Sequence, residues 1–141
     1  MRIGLVGCVK SKLTVPAPAR DLYTSTLFVG RRQFVEASCD RWFILSAKHG
    51  VVDPDTILEP YDETLKTAGR AARRAWSQRV LSALDLELGQ INGFVFETHA
   101  GAEYLDYGVA DGLRSRGATV ENPTQGLRIG RQLSFYAGTR S

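Results

Sequence analysis

The sequence predicts an α/β fold in which a small four-stranded parallel sheet is covered by helices on both faces, a three-layer sandwich. Short β-branched or aromatic runs alternate along the chain with longer stretches of helical apolar spacing, in the order strand, helix, four times over. Parallel strands joined by right-handed helical crossovers are what this alternation produces. In addition, Trp42 to Leu45 carries no polar interruption, the pattern of a strand buried on both sides.

Ile3 to Val6 is the first strand, short and β-branched, ending at Gly7. A polar loop from Cys8 to Arg20 follows, held extended by Pro16-Ala17-Pro18. From Asp21 to Ser38 the spacing of Leu22, Leu27, Phe28, Phe34 and Val35 is helical, with Thr24 or Ser25 available as a cap. Trp42 to Ala47 is the second strand. A long connection then runs from Lys48 to about Lys66, and loops of that length usually bind or cover something. Ala68 to Leu88 is the longest helix, stopped by Gly89, with Ala72, Trp76, Val80, Leu84 and Leu88 on its buried face. Gly93 to Glu97 is the third strand, Ala100 to Arg116 a helix, Ala118 to Glu121 the fourth strand, and Leu127 to Tyr136 a closing helix.

A chain of 141 residues with 43% apolar content fits a single domain over 1–141. The 18 Lys and Arg exceed the 15 Asp and Glu by only 3 charges, so a strongly polyanionic partner is not dictated by composition. Cys8 and Cys39 lack Cys-x-x-Cys spacing, which argues against a disulfide scaffold and for a reduced, cytoplasmic setting. No apolar run approaches the ~20 residues that cross a bilayer, so no membrane is expected.

In a parallel sheet, ligands bind outside the carboxyl ends of the strands. The expected rim is therefore Gly7 to Lys12, Ser46 to Asp55, Glu97 to Gly101 and Asn122 to Gly126. Gly7-Cys8-Val9-Lys10-Ser11-Lys12 has the composition of an anion-binding turn without being a Walker motif. Cys8 offers a nucleophile, but with no base assignable to it from sequence it reads first as a small residue packed at the strand end. His49, between Lys48 and Gly50, is the strongest catalytic candidate, because a neighbouring ammonium favours the neutral imidazole. Asp53, Asp55, Asp62 and Glu63 offer carboxylates to orient water or steady a cationic sugar, and Asp53 and Asp62 are the two carried forward. Tyr23 and Tyr61 can stack on a base or close the edge of the core, and Arg128 and Arg131 can meet phosphate or form an exposed basic face. Cys8, Cys39, His49 and His99 have no metal-finger spacing, so no metal is expected, and no cofactor is called for.

Several blocks resemble a known set of proteins: Cys8-Val9-Lys10-Ser11-Lys12, Ala19-Arg20-Asp21-Leu22-Tyr23, Ser46-Ala47-Lys48-His49-Gly50, Pro60-Tyr61-Asp62 and Gly130-Arg131-Gln132-Leu133. Together they resemble a domain-of-unknown-function family of small bacterial and phage proteins, over nearly the whole chain. More remotely, the Cys-x-x-x-Lys opening and the Ser-Ala-Lys-His-Gly block resemble the archaeosine synthase core domain and the uracil-DNA glycosylase-like fold. That resemblance implies a nucleobase pocket at the carboxyl rim. The glycosylases' Gly-Gln-Asp-Pro-Tyr loop is absent, and Asn122-Pro123-Thr124 stands where His-Pro-Ser would follow the last strand.

The resulting expectation is an enzyme acting on a nucleotide or nucleic acid at the glycosidic bond, resembling N-glycosylases or nucleoside hydrolases. His49, Asp53 and Asp62 would act on the bond. Cys8, Lys10, Lys12, Arg20, Tyr23, Ser46, Lys48, Gly50, Tyr61 and Arg131 would hold the substrate. The alternative is a non-catalytic nucleotide or nucleic-acid binding module built on the same rim.

Overall fold

The computed structural model describes residues 1–8 and 11–138. Strand β1 (Arg2–Gly7) lies at the centre of the main sheet, because its near-continuous apolar run tolerates helices on both faces. It pairs in parallel with β3 (Arg41–Ser46) on one side and with β6 (Val95–His99) on the other, and β7 (Thr119–Glu121) extends the sheet beyond β6. A fifth strand, β4 (Gly50–Val52), pairs antiparallel with β3 and forms the opposite edge, giving the order β4-β3-β1-β6-β7.

The sheet is thus mostly parallel, not the wholly parallel four-stranded one expected. The departure has a local cause. Gly50 adopts φ +75°, a left-handed conformation open to glycine, and this turns the chain back on itself within Ala47-Lys48-His49. The Ser46-Ala47-Lys48-His49-Gly50 block is therefore a β-hairpin turn, with Ser46 opposite Gly50.

Helix α1 (Ala19–Leu22) and helix α2 (Thr26–Ser38) divide what the spacing predicts as one helix from Asp21. The break falls at Tyr23-Thr24-Ser25, where Ser25 accepts a hydrogen bond from the Phe28 amide at 3.1 Å and caps α2. Helix α3 (Arg70–Leu88) follows the long connection. The expected helix from Ala100 to Arg116 is two pieces, α4 (Ala102–Leu105) and α5 (Val109–Ser115), separated at Gly108, whose φ is +138°. Helix α6 (Ile129–Gly138) closes the described chain.

The crossovers through α2 and α3 leave the centre of the sheet in opposite directions, so one handedness places them on opposite faces. On the first face α2 approaches β1 closely, since a Cβ on Gly4 would meet Val35 at 2.8 Å, and α6 packs on α2 through Gly30 and Tyr136. On the second face α3 packs on α5, Leu81 lying against Gly112. Leu5, Phe43, Leu45, Val80, Leu84, Phe96 and Leu113 are buried in the core. Each such side chain contributes roughly 1.5–3 kcal/mol of transfer free energy. The connection from Lys48 to Lys66 is not plain loop: beyond β4 it contains β5 (Ile57–Leu58), which pairs with β2 (Ala17–Pro18).

Candidate functional site

The carboxyl end of β1 opens onto a cluster of hydroxyl and thiol groups. Cys8 keeps the strand register one residue further, its amide donating to the Leu45 carbonyl at 3.1 Å. Its thiol lies 3.2 Å from the Tyr104 hydroxyl and accepts from the Tyr61 hydroxyl at 3.7 Å. Tyr61 is also hydrogen-bonded to Tyr23 and, at 2.7 Å, to Ser46 Oγ. Ser46 Oγ in turn accepts the His49 amide at 3.1 Å, and the Ser46 carbonyl accepts Trp76 Nε1–H at 2.9 Å. Burial first, and then the Cys8 thiol, push the phenols of Tyr23, Tyr61 and Tyr104 up, so all three remain protonated and serve as hydrogen-bonding groups.

Lys12 and His49 both meet the Tyr61 ring of this cluster. Lys12 Nζ lies 4.6 Å from the Tyr61 ring centroid and 5.6 Å from that of Tyr23. The His49 imidazole meets the Tyr61 ring edge to face, at 5.3 Å and 89°. Partial burial, with Lys48 and then Arg79 adding repulsion, lowers the His49 pKa against the pull of Glu63, which favours neutral imidazole at neutral pH. Beyond His49 a groove of about 460 Å³ opens between the hairpin and α3, lined by Gly50, Val51, Gln78, Arg79 and Ser82 among others.

The first-strand lysine, the hairpin histidine and the aromatic and hydroxyl groups therefore converge: Cys8, Lys12, Tyr23, Ser46, Tyr61 and His49 form one neighbourhood. Gly50 serves it as the residue that permits the turn, and Lys48 is exposed on that turn. Tyr23 and Tyr61 are 2% and 7% exposed, which corrects the expectation that they present a face to a base. Asp53 is not brought to the rim either. Strand β4 runs antiparallel, carrying Asp53 back alongside β3, where it accepts the Asp55 amide at 2.9 Å and lies 3.9 Å from Arg41. It is a turn former. Arg20 is engaged by Asp55 and Asp21. Asp62 is exposed beside Tyr61 and forms no hydrogen bond or ion pair among the described residues. Arg131 projects from the exposed first turn of α6. Lys10 lies outside the described residues.

The spacing did not single out Tyr104, which completes the thiol cluster, or the network under α2 and α6. There His99, fully buried, contacts Glu97 through Nε2 at 2.8 Å and Tyr136 through Nδ1 at 2.7 Å. A carboxylate only accepts, so Nε2–H donates to Glu97 and Nδ1 accepts from Tyr136. Glu97 also accepts from Arg2 Nε at 2.9 Å and Ser38 Oγ at 3.1 Å. Nearby, buried Arg31 donates to the Gly7 carbonyl at 3.3 Å and to Gln132 Oε1 at 3.2 Å. The sequence signal was Glu97-x-His99, two polar groups at strand period on one face of β6. Among the described residues no three His, Cys, Asp or Glu side chains are grouped to hold a metal, and burial pushes the Cys39 thiol up to about 11.

A similar protein is the uncharacterized protein YfjM of Bacillus subtilis (strain 168), 33% identical over 73 residues. That match covers 47% of this chain and 49% of the relative, so the chain spans about half of that protein's length. No solved structure matches. Residues 3–138 match one family model, and the chain belongs to that family, described as a family of unknown function (DUF6884).

Proposed function

We propose that the chain is an enzyme directed at a nucleotide or nucleic acid, with the glycosidic bond of a nucleobase as its target. The observation that carries this reading is that Lys12 and His49 both meet Tyr61 at the carboxyl rim: an ammonium over the aromatic ring and a neutral imidazole packed edge to face with it. A phosphate placed by Lys12 would bring the attached sugar and base toward His49. In hydrolysis, water adds to the anomeric carbon and the C–N bonding pair leaves with the base. The His49 N–H stabilises the nitrogen anion that forms, and a proton from water ends on that nitrogen. Asp62 and Glu63 stand in the segment beside Tyr61, and the charge of Glu63 is felt at His49, so this segment offers the carboxylate for the cationic sugar. The four parallel strands fit a uracil-DNA glycosylase-like core to which an antiparallel edge strand has been added.

The test is base release from a panel of nucleosides, nucleotides and short DNAs. For a substrate that is turned over, His49→Ala should lower kcat by about 10²-fold or more while leaving binding unchanged. Unaltered turnover in that variant would remove His49 from the chemistry. A binding module is the second reading, favoured by the closed, mutually hydrogen-bonded cluster of Cys8, Tyr23, Ser46 and Tyr61. On that reading His49→Ala does little, and loss of Lys12 weakens association.

A further inference from the structure

Arg70, Arg73, Arg74 and Arg79 of α3 and, beside them, Lys48 and Lys66 are cations without an ion-pair partner among the described residues. None of them has a carboxylate oxygen within 4.0 Å among the described residues. The two lysines are tied to the helix by their own carbonyls, which accept from Arg79 at 3.2 Å and from Arg73 at 3.0 Å. Six arginines elsewhere are neutralised, Arg2 by Glu97, Arg20 by Asp55, Arg32 by Asp21, Arg41 by Glu87, Arg114 by Asp111 and Arg116 by Asp85, whereas buried Arg31 and, on the surface, Arg128 and Arg131 share with the α3 arginines the lack of a carboxylate within 4.0 Å among the described residues. No acidic residue interrupts α3 before Asp85, and its first turn places arginines at the positive end of the helix dipole with no acid and no side-chain cap. That arrangement costs stability unless an anion lies over it.

The shape agrees with the charge. Arg70, Arg74 and Gln78 recur every four residues along one side of α3 and form a wall of a groove of about 530 Å³, whose other wall is Asp106, Tyr107 and Asp111. Arg73 holds Tyr107 in place, donating to its hydroxyl at 3.0 Å. Gln78 also lines the groove that contains His49 and Arg79, so the two depressions meet at one side chain. From Arg70 to Gln78 the helix advances ~12 Å, a span served by successive phosphates along a chain, and Arg79 lies ~100° further round the helix, in the groove that contains His49. The acidic wall keeps such a chain on the α3 side.

We propose that this face binds the sugar-phosphate backbone of a single-stranded nucleic acid, which runs from Arg70 and Arg74 across Gln78 to His49. The choice of ligand rests on the nucleotide-directed reading above and sharpens it: the target is polymeric, not a free nucleotide.

Fluorescence anisotropy with short labelled single-stranded DNA and RNA, across a salt series, tests this without requiring turnover. Three phosphate contacts at ~0.7 each predict a slope of about −2 in log K against log salt. The exposed triple variant R70E/R74E/R79E should lose about tenfold or more in affinity and flatten the slope. A matched variant, R32E/R41E/R114E, changes charge equally where arginines are already paired and should bind as wild type, thermal melting confirming that both fold. Unchanged binding by R70E/R74E/R79E overturns the proposal. So does equal binding of polyglutamate or of phosphatidylserine vesicles, and so does competition by a mononucleotide as strong as by the oligonucleotide. Oligonucleotide binding that requires these arginines, with no base released from any substrate, would uphold this surface and defeat the glycosidic reading.

Discussion

Tyr61 carries more of the rim than any other single residue, because its two ends do different things. The hydroxyl ties Ser46, Tyr23 and Cys8 together, while the ring meets both Lys12 and His49. Tyr61→Phe separates the two. It removes the Tyr61 hydroxyl from the buried Tyr23, Ser46 and Cys8 groups that it joins, at a cost of about 1–3 kcal/mol, yet keeps the ring that Lys12 covers. Urea denaturation should show that loss, and binding that depends on Lys12 should persist. A Phe variant as stable as wild type would mean that the hydroxyl cluster adds nothing. The residue types were visible in the sequence, since Lys12, Ser46 and His49 belong to the expected rim and Tyr61 to the long connection expected to bind or cover something. Their individual duties were not: Asp53 and Tyr61 both precede or follow a proline in one long connection, and composition does not tell which of them faces inward.

Among the elements, the hairpin of β3 and β4 decides where that imidazole stands. A glycine after an apolar strand reads equally as the start of a crossover loop and as the left-handed corner of a tight turn, and Val51-Val52 is too short to announce a strand of its own. Hence the parallel strands β1, β3, β6 and β7 were legible as apolar runs, and the antiparallel edge was not. The breaks between α1 and α2 and between α4 and α5 were hidden for a related reason: Leu22, Leu27 and Phe28 keep a helical rhythm across a cap residue, and Gly108 sits inside an otherwise helical pattern. The hairpin corner is testable on its own. A Cβ on Gly50 would meet nothing closer than Arg79 at 3.9 Å, so Gly50→Ala is resisted by conformation and not by space. It should cost roughly 1–2 kcal/mol in denaturant unfolding. Gly50→Asn should cost less, because Asn tolerates the left-handed region better. Equal stability of all three proteins would mean that the corner relaxes freely.

For the molecule as a whole, the network of Arg2, Glu97, His99 and Tyr136 joins the first strand, the third parallel strand and the last helix, with Ser38 adding α2. Because it links elements far apart in sequence, its titration should register in global stability. Burial lowers the His99 pKa more than Glu97 raises it, so the folded protein holds this imidazole neutral. For Glu97, burial alone would raise the pKa, but the hydrogen bonds from His99 and Arg2 outweigh it and the carboxyl stays below its ordinary value. In both cases the unfolded chain takes up a proton that the folded chain refuses, so stability rises with pH across those windows. Read downward, stability should begin to fall below pH ~6.5 as unfolded His99 protonates, with a limiting slope of about 1.4 kcal/mol per pH unit from this group. A second decline follows below the ordinary glutamate range, through Glu97. His99→Gln cannot titrate, so urea unfolding of this variant should give a lower plateau at neutral pH and a flatter decline between about pH 6.5 and 5. His49 is also held neutral, and His49→Ala measured alongside separates its share of the same window. If the His99→Gln profile instead runs parallel to wild type from neutral pH to 5, the proton responsible belongs to another group. The buried network would then be a neutral clasp between the ends of the chain, without a part in its acid sensitivity.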